Sequence, residues 1–439
     1  MSTLASSNSF NTTLAEALNK KIGLYELFQI VEALPALPAR SEHILLATLP
    51  GDVHRLGTRI TQALLEKAGC RVDVHWEMTP QALTLYLANN NPTHIVMTCF
   101  LTAQLDFFGA LVPQLVQTQT CLVLGGFAFS PRTLSTRFST LAPKTVHPKN
   151  GVEAAGFILQ AWPLPWVSSL TFSPDLDTDR SKKCAPVAVQ TPCLPHSFSP
   201  ITQTDFNLET LWDAINPRTL YNLHLGFKGN PHQAQGNPLF TAITERFNRL
   251  KPLAHRLFEP QALWQHFKAK SNHDQIWVYP EASAPVSWDF PRKNGICLAD
   301  YLRHDTDDFI TLMAVTIGKV AGDHTETLFQ QGRFTDMLCW HALTVQSAEA
   351  LAETVHAQLR RMHGDEDSPP DAQSLWDARY TGKRYSFGYA ACPDLRGQAL
   401  FFKLLKPETI GIHLSESMMM NPEASVNALV FYHPAAAYF

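Results

Sequence analysis

An α/β domain with a doubly wound parallel sheet, followed by an α+β domain, is the fold class this sequence predicts. Three observations predict it. Between residues 42 and 163, short apolar runs alternate with helical patterns five times. A stretch rich in Ser and Thr with six prolines then interrupts the pattern over 164–206. From 207 to 439, strand-like runs and one very long helical pattern follow without regular alternation. Repeated β-α units place parallel strands between two layers of helices. Right-handed crossovers and five strands make the first domain flavodoxin-like.

The elements follow in order. Residues 1–41 begin polar and then read as one amphipathic helix, with Leu24, Leu27, Phe28 and Val31 at helical spacing. Pro35 and Pro38 end it. HILLATL reads as a strand and HRLGTRITQALLEKAG as a helix closed by Gly69. CRVDVHWE, HIVMTCF, CLVLGG and KTVHP read as the next strands. TPQALTLYLANN, TAQLDFFGALVPQLVQ, PRTLSTRFSTLA and GVEAAGFILQAW read as the helices between and after them. The 164–206 stretch reads as an extended linker, partly docked through Trp166 and Phe172. In the second domain, 207–439, WVYP, FITLMAVTIG, GIHLS and SVNALVFYH read as strands, and FTDMLCWHALTVQSAEALAETVHAQLRRMH as one long helix.

Composition sets limits on function. A chain of 439 residues, 45% hydrophobic and 17% charged, is long enough for two or three globular domains. A net charge of −4 argues against a broad grip on nucleic acid. No apolar run reaches the length of a membrane span, and the N-terminus lacks the order of a secretory signal. We read the chain as cytoplasmic, with neither nucleic acid nor membrane as a partner. The cysteines, at 70, 99, 121, 184, 193, 297, 339 and 392, form no C-x-x-C pair, so a thiolate zinc site is unsupported.

Open α/β sheets bind ligands at the carboxyl ends of their strands. Three segments converge there: Gly51, Asp52 and His54; Thr98 to Thr102; and Gly125 with Gly126. Glycine removes side chains where a planar ligand presses on the backbone. Taken alone, Asp52 either caps the helix starting near His54 or supports that histidine as a metal ligand. The same triplet recurs at Asp73, Val74 and His75, inside a predicted strand and without the following glycine, where it has no ligand role.

The first set resembles the cobalamin-binding domains, whose pattern is D-x-H-x-x-G, a hydroxyl residue followed by leucine, then G-G. The resemblance implies that His54 ligates cobalt, with Asp52 fixing its ring tautomer and Gly57 completing the motif. Thr98 and Thr102 then line the channel for the nucleotide tail, with Gly125 and Gly126. In the second domain RYTGKRYSFGYAACPDL and LSESMMMNPEASVNALVFYHPAAAYF resemble the activation domain of cobalamin-dependent methionine synthase, thinly from 207 onward. There the family binds S-adenosylmethionine and restores methylcobalamin from oxidised cobalt. The resemblance implies that Arg384 holds the donor's carboxylate, with Tyr385, Ser386, Tyr389, Glu416, Tyr438 and Phe439 at further site positions. Gly388 would allow close approach, and Met418, Met419 and Met420 are read as packing.

Departures from the family pattern are part of the reading. The family's Asp is replaced by Asn216, S-V-S-G becomes Ser425, Val426, Asn427 and Ala428, and the chain stops at Phe439. The lost charge weakens donor binding, and Asn427 with Ala428 narrows the groove. The homocysteine and folate barrels are absent, and residues 1–41 make only a reduced cap. The sequence therefore predicts a methyl-transfer module served in trans by homocysteine- and methyl-donor-binding proteins and a flavodoxin-type reductant. A non-catalytic corrinoid carrier or sensor with a degenerate activation domain is the alternative.

Overall fold

The computed structural model describes residues 2–35, 37–52, 54–99, 104–126, 128–169, 195, 197–293, 295–304, 307–364 and 375–438. The chain opens with two helices, α1 (Ser2–Leu18) and α2 (Leu24–Ala33), where the sequence reads as a polar start and one helix. Gly23 explains the break. It is the N-cap of α2, and a Cβ there would fall 2.2 Å from the Gly226 carbonyl oxygen. Glycine lets the two backbones meet, and Glu26 accepts the Gly23 N–H at 3.0 Å.

The first domain carries β1 (His43–Thr48), β2 (Arg71–His75), β3 (His94–Thr98), β4 (Cys121–Gly125) and β5 (Thr145–Val146). They form the expected parallel sheet, in the order β2-β1-β3-β4-β5. The crossovers are α3 (Leu56–Lys67), α4 (Pro80–Asn89), α5 (Leu105–Gln117) and α6 (Pro131–Arg137), with α7 (Gly151–Ile158) last. Alternate side chains of β1 part to opposite faces: Ile44 and Leu46 join the core with α3 and α7, Leu45 and Ala47 the core with α5. The strand order reverses between β1 and β3, where Thr48 pairs with Thr98. That switch point opens the crevice used by ligands in such sheets. Of the N-terminal helices, α1 packs on α7 and α2 against the long helix Phe334–Met362 of the second domain.

The second domain begins earlier than the sequence suggests. Within the stretch read as a linker, β6 (Ile201–Gln203) already pairs with the second sheet. Trp166 packs edge-on against Phe157, with centroids 6.2 Å apart; Phe172 lies outside the described residues. Then come α8 (Leu208–Asp213), α9 (Pro238–Leu257), β7 (Gln261–Asn272), β8 (Gln275–Tyr279), β9 (Val286–Asp289) and β10 (Asp308–Thr316). The helices α10 (Lys319–Gln330) and α11 (Phe334–Met362) precede β11 (Lys383–Tyr385) and α12 (Gly397–Leu405). A hairpin of β12 (His413–Leu414) and β13 (Met420–Asn421) leads into β14 (Ser425–Phe431).

The main sheet is antiparallel in the order β11-β14-β10-β7-β8-β9. Every residue of the central β10 is buried. Ile310, Leu312 and Ala314 face the core under α12, and Met313 and Val315 the core under α11. The α11 core runs on without a gap into that of α1, α2, α3 and α7, joining the two domains. Among the described residues no helix is long and apolar enough to cross a membrane.

Candidate functional site

The loop after β1 stands at the carboxyl edge of the first sheet. Gly51 has φ +73°, a left-handed turn, and its carbonyl accepts the Ser417 hydroxyl at 2.7 Å. Asp52 is 2% exposed. Its Oδ1 accepts the His54 backbone N–H at 3.0 Å, while its buried Oδ2 has no hydrogen-bond partner among the described residues. It does not cap α3, whose N-cap is Arg55. Burial pushes its carboxyl up to about 6, against the hydrogen bond from His54.

The His54 ring is held from the other domain instead. Its Nδ1 lies 2.7 Å from Glu423 Oε1, in the turn between β13 and β14. Burial lowers the imidazole's pKa, but the Glu423 hydrogen bond and charge outweigh it, so the net direction is up. Glu423 is held below the usual carboxylate range: burial raises it, and the His341 charge and the His54 bond more than offset that. Sequence reading expected Asp52 to orient the ring and missed Glu423, which sits in the N-P-E-A-S run. A cleft of about 480 Å³ opens beside Glu423, between Arg55 and Arg59 at the start of α3, Phe329 of α10 and His341 of α11.

The other expected residues around this edge fall as follows. Gly57 is exposed in the first turn of α3, with nothing within 4 Å of an added Cβ. Thr98 ends β3 and its hydroxyl meets that of Thr58 at 3.2 Å. Gly125 ends β4. Gly126 has φ +101°, and a Cβ there would fall 2.3 Å from the Cys99 carbonyl oxygen. Thr102 lies outside the described residues. The second copy of the triplet has the structural role expected of it: Asp73 accepts from Tyr86 at 2.8 Å and pairs with His43 at 2.7 Å.

The donor set at this edge fits a corrinoid. It offers an imidazole, a buried carboxylate oxygen beside it with no hydrogen bond among the described residues, and a glycine turn that keeps side chains off the backbone.

A second pocket, of about 410 Å³, lies at the end of β11 and is lined by Glu349, Arg384, Ser386, Tyr389, Cys392 and Tyr438, with Tyr385 beside them. It gathers five of the seven residues expected here. Arg384 Nη2 donates to Glu349 Oε2 at 3.1 Å, and its Nε faces Glu353 Oε2 at 3.6 Å. Burial works against the guanidinium's charge, but Glu349 and Glu353 outweigh it and its pKa is raised. The 386–392 loop is folded on itself: Gly388, at φ +94°, donates to the Cys392 carbonyl at 2.9 Å, and Cys392 Sγ donates to the Ser386 carbonyl at 2.8 Å. Tyr385 OH anchors the 437 carbonyl at 2.7 Å. Tyr389 and Tyr438 stand at the rim, 69% and 52% exposed.

Three expectations are corrected. Glu416 is exposed in the β12–β13 turn and does not line this pocket, because that hairpin reaches over to the first domain. Asn216 Oδ1 accepts the Arg218 N–H at 3.0 Å as a turn cap, away from the pocket. Asn427 does not narrow the groove: it is buried and donates to Gln398 at 2.7 Å. Phe439 lies outside the described residues. Glu349 and Glu353, four apart on α11, were missed; their spacing on one helix face was the available signal.

These features define a two-domain protein, a doubly wound domain with a histidine loop joined to an α+β domain with an arginine-based pocket. Its second domain has the fold of a reactivation domain. A crystal structure of the MetH reactivation domain bound to AdoHcy matches it with a TM-score of 0.52 at 24% identity, covering 57% of this chain and 83% of that one. Residues 232–439 match the family model for the activation domain of vitamin B12 dependent methionine synthase. The methionine synthases of Mycobacterium tuberculosis and Mycobacterium leprae are 33% and 32% identical to this chain over 228 residues. That stretch is 47% of this chain and 19% of each relative, so the chain spans about a fifth of the length of the curated relatives it matches.

Proposed function

We propose that this chain is a cobalamin-dependent methyl-transfer module resembling the C-terminal half of methionine synthase. The first domain holds a corrinoid at His54 and the second holds S-adenosylmethionine at Arg384. One observation carries the reading. The second domain reaches the histidine loop directly, with Glu423 on His54 at 2.7 Å and Ser417 on Gly51 at 2.7 Å. A methyl-donor domain with no business at the first site has no reason to meet it there.

When bound, cobalamin supplies a cobalt centre that accepts a methyl group and passes it on. The chain's own residues do the rest. His54 would hold the cobalt through its imidazole, Asp52 would fix the backbone that presents it, and Gly125 and Gly126 with Thr98 would leave room for the rest of the ligand. Arg384 would take the donor's carboxylate in a charge-assisted hydrogen bond, while Tyr389 and Tyr438 would flank the nucleoside. The kinship of residues 232–439 with the activation family supports the donor half of this reading. Proteins binding homocysteine and the ordinary methyl donor, and a flavodoxin-type reductant, act in trans.

The absorption spectrum of added cobalamin tests it. Wild type is expected to shift the spectrum from that of the free corrinoid, and His54→Ala to give a different one. Identical spectra remove His54 from the cobalt. Corrinoid binding without S-adenosylmethionine binding in calorimetry turns the chain into a carrier or sensor.

A further inference from the structure

Behind the second pocket lies a buried network that the proposed chemistry does not use. Glu353 is its centre, with a side chain 14% exposed. Its Oε2 accepts the Tyr380 hydroxyl at 3.2 Å, and its Oε1 accepts from Arg360 Nη1 at 3.5 Å. The Arg360 guanidinium lies over the Tyr380 ring, 3.7 Å from its centroid. Arg360 Nη1 also donates to Nδ1 of His356, which is completely buried. His356 stays neutral there, because burial first, and then Arg360, Arg384 and Lys383, oppose its protonation. A neutral ring accepting at Nδ1 fixes the arginine that fixes the carboxylate.

The consequence falls on Arg384. Glu353 is close enough to favour its charge but, at 3.6 Å from Nε, makes no hydrogen bond with it. Arg384 Nη1 makes no hydrogen bond among the described residues, although the guanidinium lines the pocket. A free Glu353 would close on Nε and draw the guanidinium back toward α11, away from a ligand, since a direct carboxylate–guanidinium pair is stronger than one held apart. Tyr380 and Arg360 hold it back from opposite oxygens.

We propose that Tyr380 is a positioning residue: by tethering Glu353 with Arg360, it keeps Arg384 charged yet available to a ligand's carboxylate. The inference rests on the reading of this pocket as a site for S-adenosylmethionine. It adds a specificity device, a restraint on a competing internal carboxylate, that selects ligands bearing an amino-acid head.

Calorimetry on the full chain tests it with two ligands. S-Adenosylhomocysteine carries the carboxylate; 5′-methylthioadenosine keeps the nucleoside and thioether but lacks the amino-acid head. Tyr380→Phe is expected to weaken S-adenosylhomocysteine by about ten- to a hundredfold, the scale of one charge-assisted contact. Methylthioadenosine should change by less than about twofold, as it makes no such contact. Adding Glu353→Gln to Tyr380→Phe removes the competitor and should restore most of the loss. Equal weakening of both ligands, no weakening, or failure of the double variant to recover each overturns the tether. Wild type that binds neither ligand, or binds both equally well, overturns the reading of the pocket itself and the tether with it.

Discussion

Asp52 is buried with one carboxylate oxygen bonded and the other without a hydrogen-bond partner among the described residues. Its pKa is raised in the folded state, from 3.8 to about 6, chiefly by burial. The sign follows from linkage. The stabilising contribution is the protonated form's, complete below about 3.8 and lost as pH rises through about 6. Ionised Asp52 therefore costs stability at neutral and alkaline pH. Asp52→Asn keeps an acceptor for the His54 N–H and removes the charge. We expect it to raise stability at pH 8 by up to about 3 kcal/mol, and to change little at pH 4, in urea unfolding followed by circular dichroism. Equal stability at both pH values would show that the carboxylate finds solvent. Residues of this kind were half legible. Asp52 and His54 are neighbours in sequence and stood out together. Their partner Glu423 is 369 residues from His54, and Glu349 is 35 from Arg384, separations that no local pattern bridges.

At the scale of elements, burial pattern decided what could be read. The first domain was legible because the inner strands β1, β3 and β4 are apolar runs covered by helices on both faces. In the second domain β10 was equally plain, whereas the twelve-residue β7 was not. Its Gln265, Lys268 and Lys270 interrupt the apolar rhythm, and only pairing with β10 and β8 makes it a strand. The three-residue β6 and β11 likewise exist through their neighbours alone. The break between α1 and α2 belongs to the same class, since Gly23 looks like a tolerable helix residue until Gly226 is placed against it. We expect Gly23→Ala to cost about 1–3 kcal/mol, as overpacking does. Gly57→Ala serves as the control, because its Cβ would meet nothing within 4 Å, and it should gain about 0.5–1 kcal/mol from helix propensity. Urea midpoints decide between them. A Gly23→Ala variant as stable as wild type would mean that α2 shifts freely off the 226 turn, contrary to the hydrogen bond from Tyr25 N–H to the Leu225 carbonyl at 3.0 Å.

For the whole molecule, the contact between the domains has a charged part that responds to pH and others that do not. Arg59 of α3 makes two 2.5 Å bonds to Glu326 of α10, and Glu32 of α2 accepts the Thr335 N–H at 3.1 Å. Neither depends on an imidazole. The His54–Glu423 pair does. The histidine's pKa is raised by the carboxylate, so its contribution is complete below its ordinary value of 6.5 and fades as pH climbs through the raised one. The Glu423 pKa is lowered, so its share is complete above 4.5 and fades as pH falls through the lowered one. The pair therefore stabilises the closed arrangement most between about 4.5 and 6.5. Both side chains are about a third exposed, 36% and 29%, so solvent screening limits the pair to roughly 0.2–1 kcal/mol. We expect Glu423→Gln to lower Tm by about 1–2 °C at pH 5.5 and by distinctly less at pH 9, with wild type as reference at each pH. Arg59 and Glu32 should keep the domains together throughout, so unfolding should remain one transition. A Tm loss that is the same at pH 9 as at pH 5.5 would mean that Glu423 acts by packing in the turn rather than by pairing with His54.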